Sequence, residues 1–281
     1  MSQEYEAQLC KAGLRLTFSH YVYNEGYKGR TGRLCYMVLD IVFVFVILFI
    51  GSFLQGASGF GFGLFSMSFL PFMFTLKEST LLAVALAVVT SLTILAKVYK
   101  HLDYKALLLL LSSAIAGRVG AFFILHNFGE MDIMKKILGF VLIAMVIYIL
   151  SSRNKKKVPY RKVMVALPIV MGFLGGLIGG IFMTGGPFFV FYLMIASRDK
   201  YSYTANLQAT FLITGLVTVT LHGLGGDLNS QFLFYFLVGI LGVITGSRLG
   251  MKWFERLSQD QIKKIASAAV AVAGINLILF S

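Results

Sequence analysis

The sequence from Gly51 to Gly63 reads GSFLQGASGFGFG and interrupts a long apolar stretch, residues 37–75. A second apolar stretch, residues 163–197, is interrupted in the same way by the sequence from Gly172 to Pro187, GFLGGLIGGIFMTGGP. A bilayer core about 30 Å thick needs about 20 helical residues. At a rise of about 1.5 Å per residue, the two stretches would form single helices about 58 Å and 52 Å long. Each stretch is therefore expected to be a pair of helices that is broken at its glycines.

The composition indicates an integral membrane protein. Of the 281 residues, 58% are hydrophobic and only 13% are charged, whereas soluble domains carry about 25% charged residues. The apolar runs are long and continuous, which favours helices over the alternating strands of a membrane barrel. These features exclude a soluble enzyme with a polar exterior, a disordered chain and a disulfide-rich scaffold.

The apolar pattern predicts an all-α polytopic membrane protein with about ten helical segments. The segments are expected at roughly 37–57, 60–76, 78–98, 106–126, 133–152, 163–182, 185–197, 203–222, 230–250 and 261–280. Residues 1–36 contain no apolar run that would suit a cleavable signal peptide. They are interpreted as an N-terminal tail.

The two halves of the chain resemble each other in an ordered series of matches. With an offset of 121 residues the matching pairs include Gly51 with Gly172, Gly59 with Gly180, Thr93 with Thr214 and His101 with His222; after an insertion Arg118 matches Arg248. Each half holds three ordinary spans and one broken or re-entrant pair, so each makes an odd number of net crossings. We therefore expect two inverted repeats, residues 37–152 and 163–281, as in many secondary transporters.

The distribution of basic residues predicts the orientation. The linker, residues 153–162, contains six Lys and Arg residues and no acid, which is typical of a cytoplasmic loop in a multi-pass protein of the cell membrane. The loops around 127–132 and 222–230 carry acids and no Lys or Arg, so they are predicted to lie outside. The tail 1–36 also falls outside on this count, in conflict with its own basic residues. The net charge of +13 does not indicate nucleic-acid binding, because the basic residues form no continuous face.

The glycine-rich breaks are the strongest candidates for a functional site. A helix that is broken within the membrane exposes backbone N–H groups, and the new N-terminus carries about half a positive charge. Two such N-termini near the midplane would bind an anion without a buried cation. The alternative is that the glycines only allow helices to pack closely, which would explain Gly172, Gly176 and Gly180.

Polar residues around the breaks are the candidate ligands of a small anion, because hydroxyl and amide groups donate hydrogen bonds at a lower desolvation cost than an ion. The predicted substrate-binding residues are Gln55, Ser58, Gly59, Gly61, Gly63, Thr184, Gly185, Gly186, Asn206 and Gln208. Arg118 and Arg248 are either gate residues or basic residues that snorkel at the membrane edge, and their places in the predicted spans favour the edge. His101 and His222 titrate near neutral pH, which would suit proton coupling, but both fall at helix ends.

No catalytic or cofactor-binding set is present in the sequence. It has no metal-ligand spacing, no P-loop and no paired carboxylates at membrane depth, so neither an enzyme nor a resident metal or cofactor is expected. The predicted partners are a small inorganic or organic anion and membrane lipid, and a homo-oligomer is compatible with the sequence.

Several motifs together resemble the TauE/SafE (sulfite exporter) family. They are Gln55–Gly63, Gly172–Pro187, Ala205-Asn206-Leu207 and the sequence Gly246-Ser-Arg-Leu-Gly250. The resemblance covers residues 37–281 and implies a carrier of small sulfur-containing anions such as sulfite or sulfonates, with export as its direction. A passive anion channel of the same architecture is the alternative function.

Overall fold

A computed structural model describes residues 30–151 and 163–254, together with Ile275 and Ile278. In the two continuous ranges the chain forms nine α-helices: α1 Arg30–Ser58, α2 Phe62–Phe69, α3 Leu76–Val98, α4 Tyr104–Phe128, α5 Asp132–Ser151, α6 Val163–Phe182, α7 Gly186–Ala196, α8 Lys200–Leu224 and α9 Ser230–Trp253. The first nine predicted segments correspond to these helices. The tenth segment lies outside the described residues, apart from Ile275 and Ile278, and so do the linker 153–162 and most of the tail 1–36.

Eight of the nine described helices fall into two classes of apolar length. Five are long and apolar enough to cross a membrane: α1 from Leu39, α3 with the short turn that follows it, α4 from Leu107, α8 and α9. Shorter apolar helices are found at 62–72, 166–182 and 186–196. The two helices that follow the breaks, α2 and α7, have 8 and 11 residues and are therefore about 12 Å and 16 Å long. Neither is long enough to cross a core of about 30 Å.

The starts of the helices differ in the same way. Thr75 and Glu78 form a capping box at the start of α3, and Asp199 and Asn229 accept hydrogen bonds from the first turns of α8 and α9. These caps satisfy N–H groups that have no partner inside the helix. In contrast, α2 and α7 begin after glycines and have no side-chain cap.

Small residues bring two pairs of helices into close contact, α4 with α6 and α1 with α9. A Cβ on Gly172 or Gly176 would collide with the backbone of α4, and a Cβ on Gly246 or Gly250 would collide with the backbone of α1. This is the close backbone approach that small residues allow in membrane helices. The packing interpretation is therefore right for Gly172 and Gly176, and for Gly180, which faces Ala121.

Helices α3 and α8 lie between these pairs. They pack against each other, and α3 also contacts α9 while α8 contacts α4. The main apolar core lies where α1, α2, α3 and α5 meet and includes Leu48, Phe62, Met67, Leu86 and Leu138. Large apolar side chains are also exposed on the outer surface, as expected beside lipid; examples are Leu92, Leu108, Phe123, Phe140 and Leu241.

Candidate functional site

The first break reverses the chain between α1 and α2. Gly59 and Gly61 have φ angles of 85° and 114°, in the left-handed region that glycine adopts without a steric penalty. Helix α2 then turns back along α1. The contact between the two helices is close, and a Cβ on Gly51 of α1 would lie 3.0 Å from the Oγ of Ser66 of α2. The broken pair is thus a helical hairpin with a short second arm.

The second break has the same form. Met183, which follows the last residue of α6, has a φ angle of 57°. Such an angle is uncommon for a residue other than glycine, and strained residues of this kind cluster at functional sites. Pro187 lies in the first turn of α7, where its missing N–H has little cost. Helix α7 turns back against α6. The contact between them is close, and a Cβ on Gly175 of α6 would lie 2.5 Å from the ring of Phe189 of α7.

The two breaks are in direct contact with each other. A Cβ on Gly63, in the first turn of α2, would collide with the carbonyl oxygen of Met183. The start of α2 therefore lies against the end of α6, and only a residue without a side chain fits there. The two breaks therefore touch through the start of α2 and the end of α6, whereas the meeting of the two helix N-termini near the midplane stays a prediction.

Arg118 lies beside the second break. Its Nη1 donates to the carbonyl oxygen of Gly179 at 2.8 Å and to the Oγ1 of Thr218 at 3.3 Å, and its Nη2 is 3.5 Å from the Oγ1 of Thr214. A Cβ on Gly179 would lie 3.1 Å from that Nη2 and 3.2 Å from the Cα of Gly185. The guanidinium and the start of α7 are therefore close neighbours.

The charge of Arg118 has no counter-ion among the described residues. The side chain is 4% exposed, and none of the ion pairs in the described part of the chain includes it. Its Nε has no hydrogen-bond partner. Arg118 lies near the middle of α4, so the expectation that it snorkels at the membrane edge is wrong. Arg248 is exposed near the end of α9, as expected for an edge residue.

Two further hydroxyl groups near the breaks have no partner. The Oγ1 of Thr184 and the Oγ of Ser66 are both buried without a hydrogen bond, and both residues are 0% exposed. Thr184 lies between Met183 and Gly185, directly before α7. Unpaired donors are uncommon in protein interiors, because each costs about 1–3 kcal/mol. Thr184 and the Nε of Arg118 therefore provide free donors at the second break.

The predicted amides of the first break are already paired. The Nε2 of Gln55 donates to the Oε1 of Gln208 at 2.8 Å and to the Oγ of Ser91 at 3.1 Å. The Nε2 of Gln208 donates to the carbonyl oxygen of Gly59 at 2.7 Å. Ser58 is bonded to the backbone of Leu54 and Phe60. These side chains hold the first break in position.

Asn206 is separate from this group. Its Oδ1 accepts a hydrogen bond at 2.9 Å from the backbone N–H of Asp103, in the connection between α3 and α4, and its Nδ2 has no partner. Of the predicted ligands, the structure thus brings together Gln55, Gln208 and Gly59 at the first break, and Thr184, Gly185 and Gly186 at the second. Ser58 and Gly61 also lie at the first break, and Gly63 joins the two groups through its contact with Met183.

Sequence reasoning missed the residues that surround Arg118. Thr214 enters the sequence prediction only as the repeat match of Thr93, and Thr214, Thr218 and Ser91 are not among the predicted ligands. The available signal was the position of Arg118 near the centre of an apolar run, where a charge is costly and functional.

Long apolar helices around two broken hairpins define an integral, multi-pass membrane protein. The family model described as "Sulfite exporter TauE/SafE" matches residues 43–277. A protein of Methanocaldococcus jannaschii that is described as a probable membrane transporter is 24% identical over 194 residues, which is 64% of this chain and 70% of the relative. No solved structure matches the chain. The chain belongs to the TauE/SafE family, as the motifs in its sequence predict, and is a membrane transporter.

Proposed function

We propose that this protein is a secondary transporter that exports small anions, sulfite or sulfonates, across the cell membrane by alternating access. The observation that carries the proposal is the buried guanidinium of Arg118, which lies beside the uncapped start of α7 with no carboxylate among the described residues to pair with it. We place the site at the second break, which the first break contacts through Gly63 and the carbonyl of Met183.

The electrostatics of this site favour an anion. A helix N-terminus carries about half a positive charge, and the guanidinium adds a full one of the same sign. Two positive groups in a region of low dielectric constant repel each other, and a bound anion compensates both. The free donors, Thr184 Oγ1 and Arg118 Nε, match the oxygen atoms of an oxyanion.

Alternating access is supported by the symmetry of the helix contacts. In the predicted repeats α1, α3 and α4 correspond to α6, α8 and α9. The contact of α1 with α9 then corresponds to that of α6 with α4, and the contact of α3 with α9 corresponds to that of α8 with α4. Exchanging each helix for its partner in the other half of the chain reproduces these contacts. This is the pattern expected of two structural repeats. The odd number of crossings expected for each half makes the repeats inverted, and their relative movement would open a central site to either side.

The substrate class and the direction are supported by the family, which is described as that of a sulfite exporter. The passive channel remains the alternative function, and it requires a continuous pathway. The direct contact of Gly63 with the carbonyl of Met183 blocks the space between the two breaks. That contact favours a carrier, which opens one side at a time.

The test is the uptake of labelled sulfite by proteoliposomes, with empty liposomes as the control and chloride, sulfate and a short sulfonate as competitors. The proposal predicts saturable uptake that the sulfonate inhibits and chloride does not. Counterflow, the accelerated uptake of label when the lumen holds unlabelled sulfite, would identify a carrier. Uptake that never saturates and shows no counterflow would indicate the channel, and uptake equal to that of empty liposomes would refute transport of sulfite.

A further inference from the structure

A cluster of five ionisable residues lies at one end of the helix bundle, apart from the anion site. It is centred on Asp227, in the connection between α8 and α9. The Oδ2 of Asp227 is 2.6 Å from the Nδ1 of His222 and 2.9 Å from the Nδ1 of His126, and its Oδ1 is 3.3 Å from the Nζ of Lys77. Lys77 also pairs with Glu130 at 2.8 Å. Among the described residues, these are the charged and titratable groups that face Asp227.

The cluster is partly shielded from water. The side chains of Asp227 and His222 are 5% and 1% exposed, whereas that of His126 is 38% exposed. The ring of Phe122 stacks on His126 and packs edge-on against His222. The backbone N–H of Lys77 donates to the carbonyl oxygen of Gly129. The cluster therefore joins the start of α3 and the ends of α4 and α8.

Asp227 is ionised at neutral pH. Burial raises its pKa, but hydrogen bonds from His126 and His222 and the positive charge of Lys77 outweigh this effect and hold the pKa below its ordinary value. The carboxylate then accepts an Nδ1–H from each imidazole, which leaves both Nε2 atoms without a proton when the rings are neutral.

The net charge of the cluster favours the binding of one proton. With both imidazoles neutral, one ammonium faces two carboxylates, so the cluster carries one negative charge, which a single added proton cancels. The Nε2 of His222 is buried and has no partner, so a proton there would become an unpaired buried donor. The ring of His126 is half-exposed, so water reaches it, and its Nδ1 lies 2.9 Å from the Oδ2 of Asp227.

We infer that His126 and Asp227 form a proton-binding site, which His222 and Lys77 hold in position. The bound proton converts the contact between α4 and the connection after α8 from a hydrogen bond into an ion pair, which is stronger. Asp227 follows the linker in sequence whereas Lys77 and His126 precede it, so the cluster joins the two halves of the chain. The basic-residue pattern predicts that this face lies outside. A proton bound there slows the separation of the two halves, and this last step rests on the proposed function.

The proton site is tested by the thermal stability of the purified full chain between about pH 5 and pH 8, the range in which histidine titrates. A proton that binds the folded state more tightly stabilises it at low pH, and this stability is lost as the pH rises. We expect the Tm of His126→Gln, whose amide still donates to Asp227 but does not titrate in this range, to fall by a few degrees relative to that of the wild type between pH 8 and pH 5. His101→Gln is the matched control, because His101 is exposed at the other end of α3 and stacks on Tyr201.

Equal changes of Tm with pH in the wild type and in His126→Gln would overturn the proton site. If His126→Gln does not fold, ¹⁵N-histidine spectra of the wild-type protein decide the question, with His20→Gln, His101→Gln and His222→Gln used to assign the four histidines. A His126 ring whose resonances do not change over this pH range would overturn the inference.

The coupling to transport is tested separately by sulfite exchange in proteoliposomes at equal pH on both sides. We expect acidification to slow exchange in the wild type and in His101→Gln, and His126→Gln to lose this dependence. If exchange by the wild type and by His126→Gln responds equally to pH, the coupling is wrong. If no variant transports sulfite, the proposed function fails, while the stability measurement still decides whether the proton site exists.

Discussion

Replacing Arg118 by methionine removes a buried charge and keeps much of the side-chain volume. If Arg118 serves to bind the substrate anion, the variant will lose affinity without losing stability. In the protein without substrate the guanidinium is 4% exposed and has no counter-ion in the described part of the chain, so its removal relieves a desolvation cost. The carbonyl oxygen of Gly179 loses a donor at 2.8 Å, which offsets part of this gain.

The expected loss of affinity follows from the hydrogen bond that a charged donor makes to an anion. Such a bond contributes about 1.5–3 kcal/mol, which corresponds to about a 10- to 150-fold increase in the Kd. The free energy of unfolding in the absence of substrate should stay the same or rise, because the charge of the free protein is uncompensated. A structural arginine would give the opposite result, with a lower stability.

The assay is a thermal-shift titration of purified protein with a short sulfonate, since a ligand that binds only the folded state raises Tm as its concentration exceeds the Kd. Arg248→Met is the control, because this arginine is exposed and its loss should leave the Kd unchanged. The reasoning is refuted if Arg118→Met binds the sulfonate as tightly as the wild type, or if its Tm without ligand falls by several degrees.

Three other substitutions separate binding from structure. Thr184→Val keeps the shape of a side chain whose hydroxyl has no partner. It should cut sulfite uptake and raise the Kd about 2- to 12-fold with no change in Tm, and Thr184→Ser should restore uptake. A fall in the Tm of Thr184→Val would indicate a structural role. Gln55→Leu breaks the hydrogen bonds to Ser91 and Gln208 and leaves buried acceptors unpaired. It should cut uptake and lower the free energy of unfolding by about 1–3 kcal/mol. A free energy of unfolding equal to that of the wild type in chemical denaturation would contradict this expectation. Gly63→Ala forces a Cβ into the carbonyl oxygen of Met183 and should destabilise the protein by about 1–3 kcal/mol. Gly120→Ala is the control, because its Cβ would lie 3.5 Å from the nearest neighbour. Equal stability of the two variants would show that the breaks do not touch.

The positions of the helices could be predicted from the sequence because apolar runs and glycine breaks are local signals. The segment predicted at 163–182 coincides with α6, and the first break was expected between residues 57 and 60, where α1 ends at Ser58. The segment predicted at 185–197 also matches α7, whereas the one predicted at 60–76 is too long, because α2 ends at Phe69 before a short turn that contains Pro71. These features depend only on the solvent that each segment faces.

The contacts that form the site could not be predicted because they join residues far apart in the chain. Gln55 and Gln208 are separated by 153 positions, and Arg118 and the carbonyl of Gly179 by 61. Arg118 was assigned to the membrane edge although it lies near the centre of the predicted segment 106–126, and the groups that surround it come from α6 and α8. The pair of His222 and Asp227 is only five residues apart, and an acid placed directly after a helix that ends in histidine was a signal that could have been used.

The position of a bound anion is the most direct test of the proposed site. A crystal of the protein grown with 2-bromoethanesulfonate would mark the ligand by the anomalous signal of its bromine. We predict a peak beside Arg118 and Thr184, at the start of α7, with the sulfonate oxygens on their free donors, and no such peak in crystals of Arg118→Met. A bromine peak elsewhere in the protein, with the guanidinium of Arg118 still bonded only to Gly179 and the α8 threonines, would contradict the anion site at the second break.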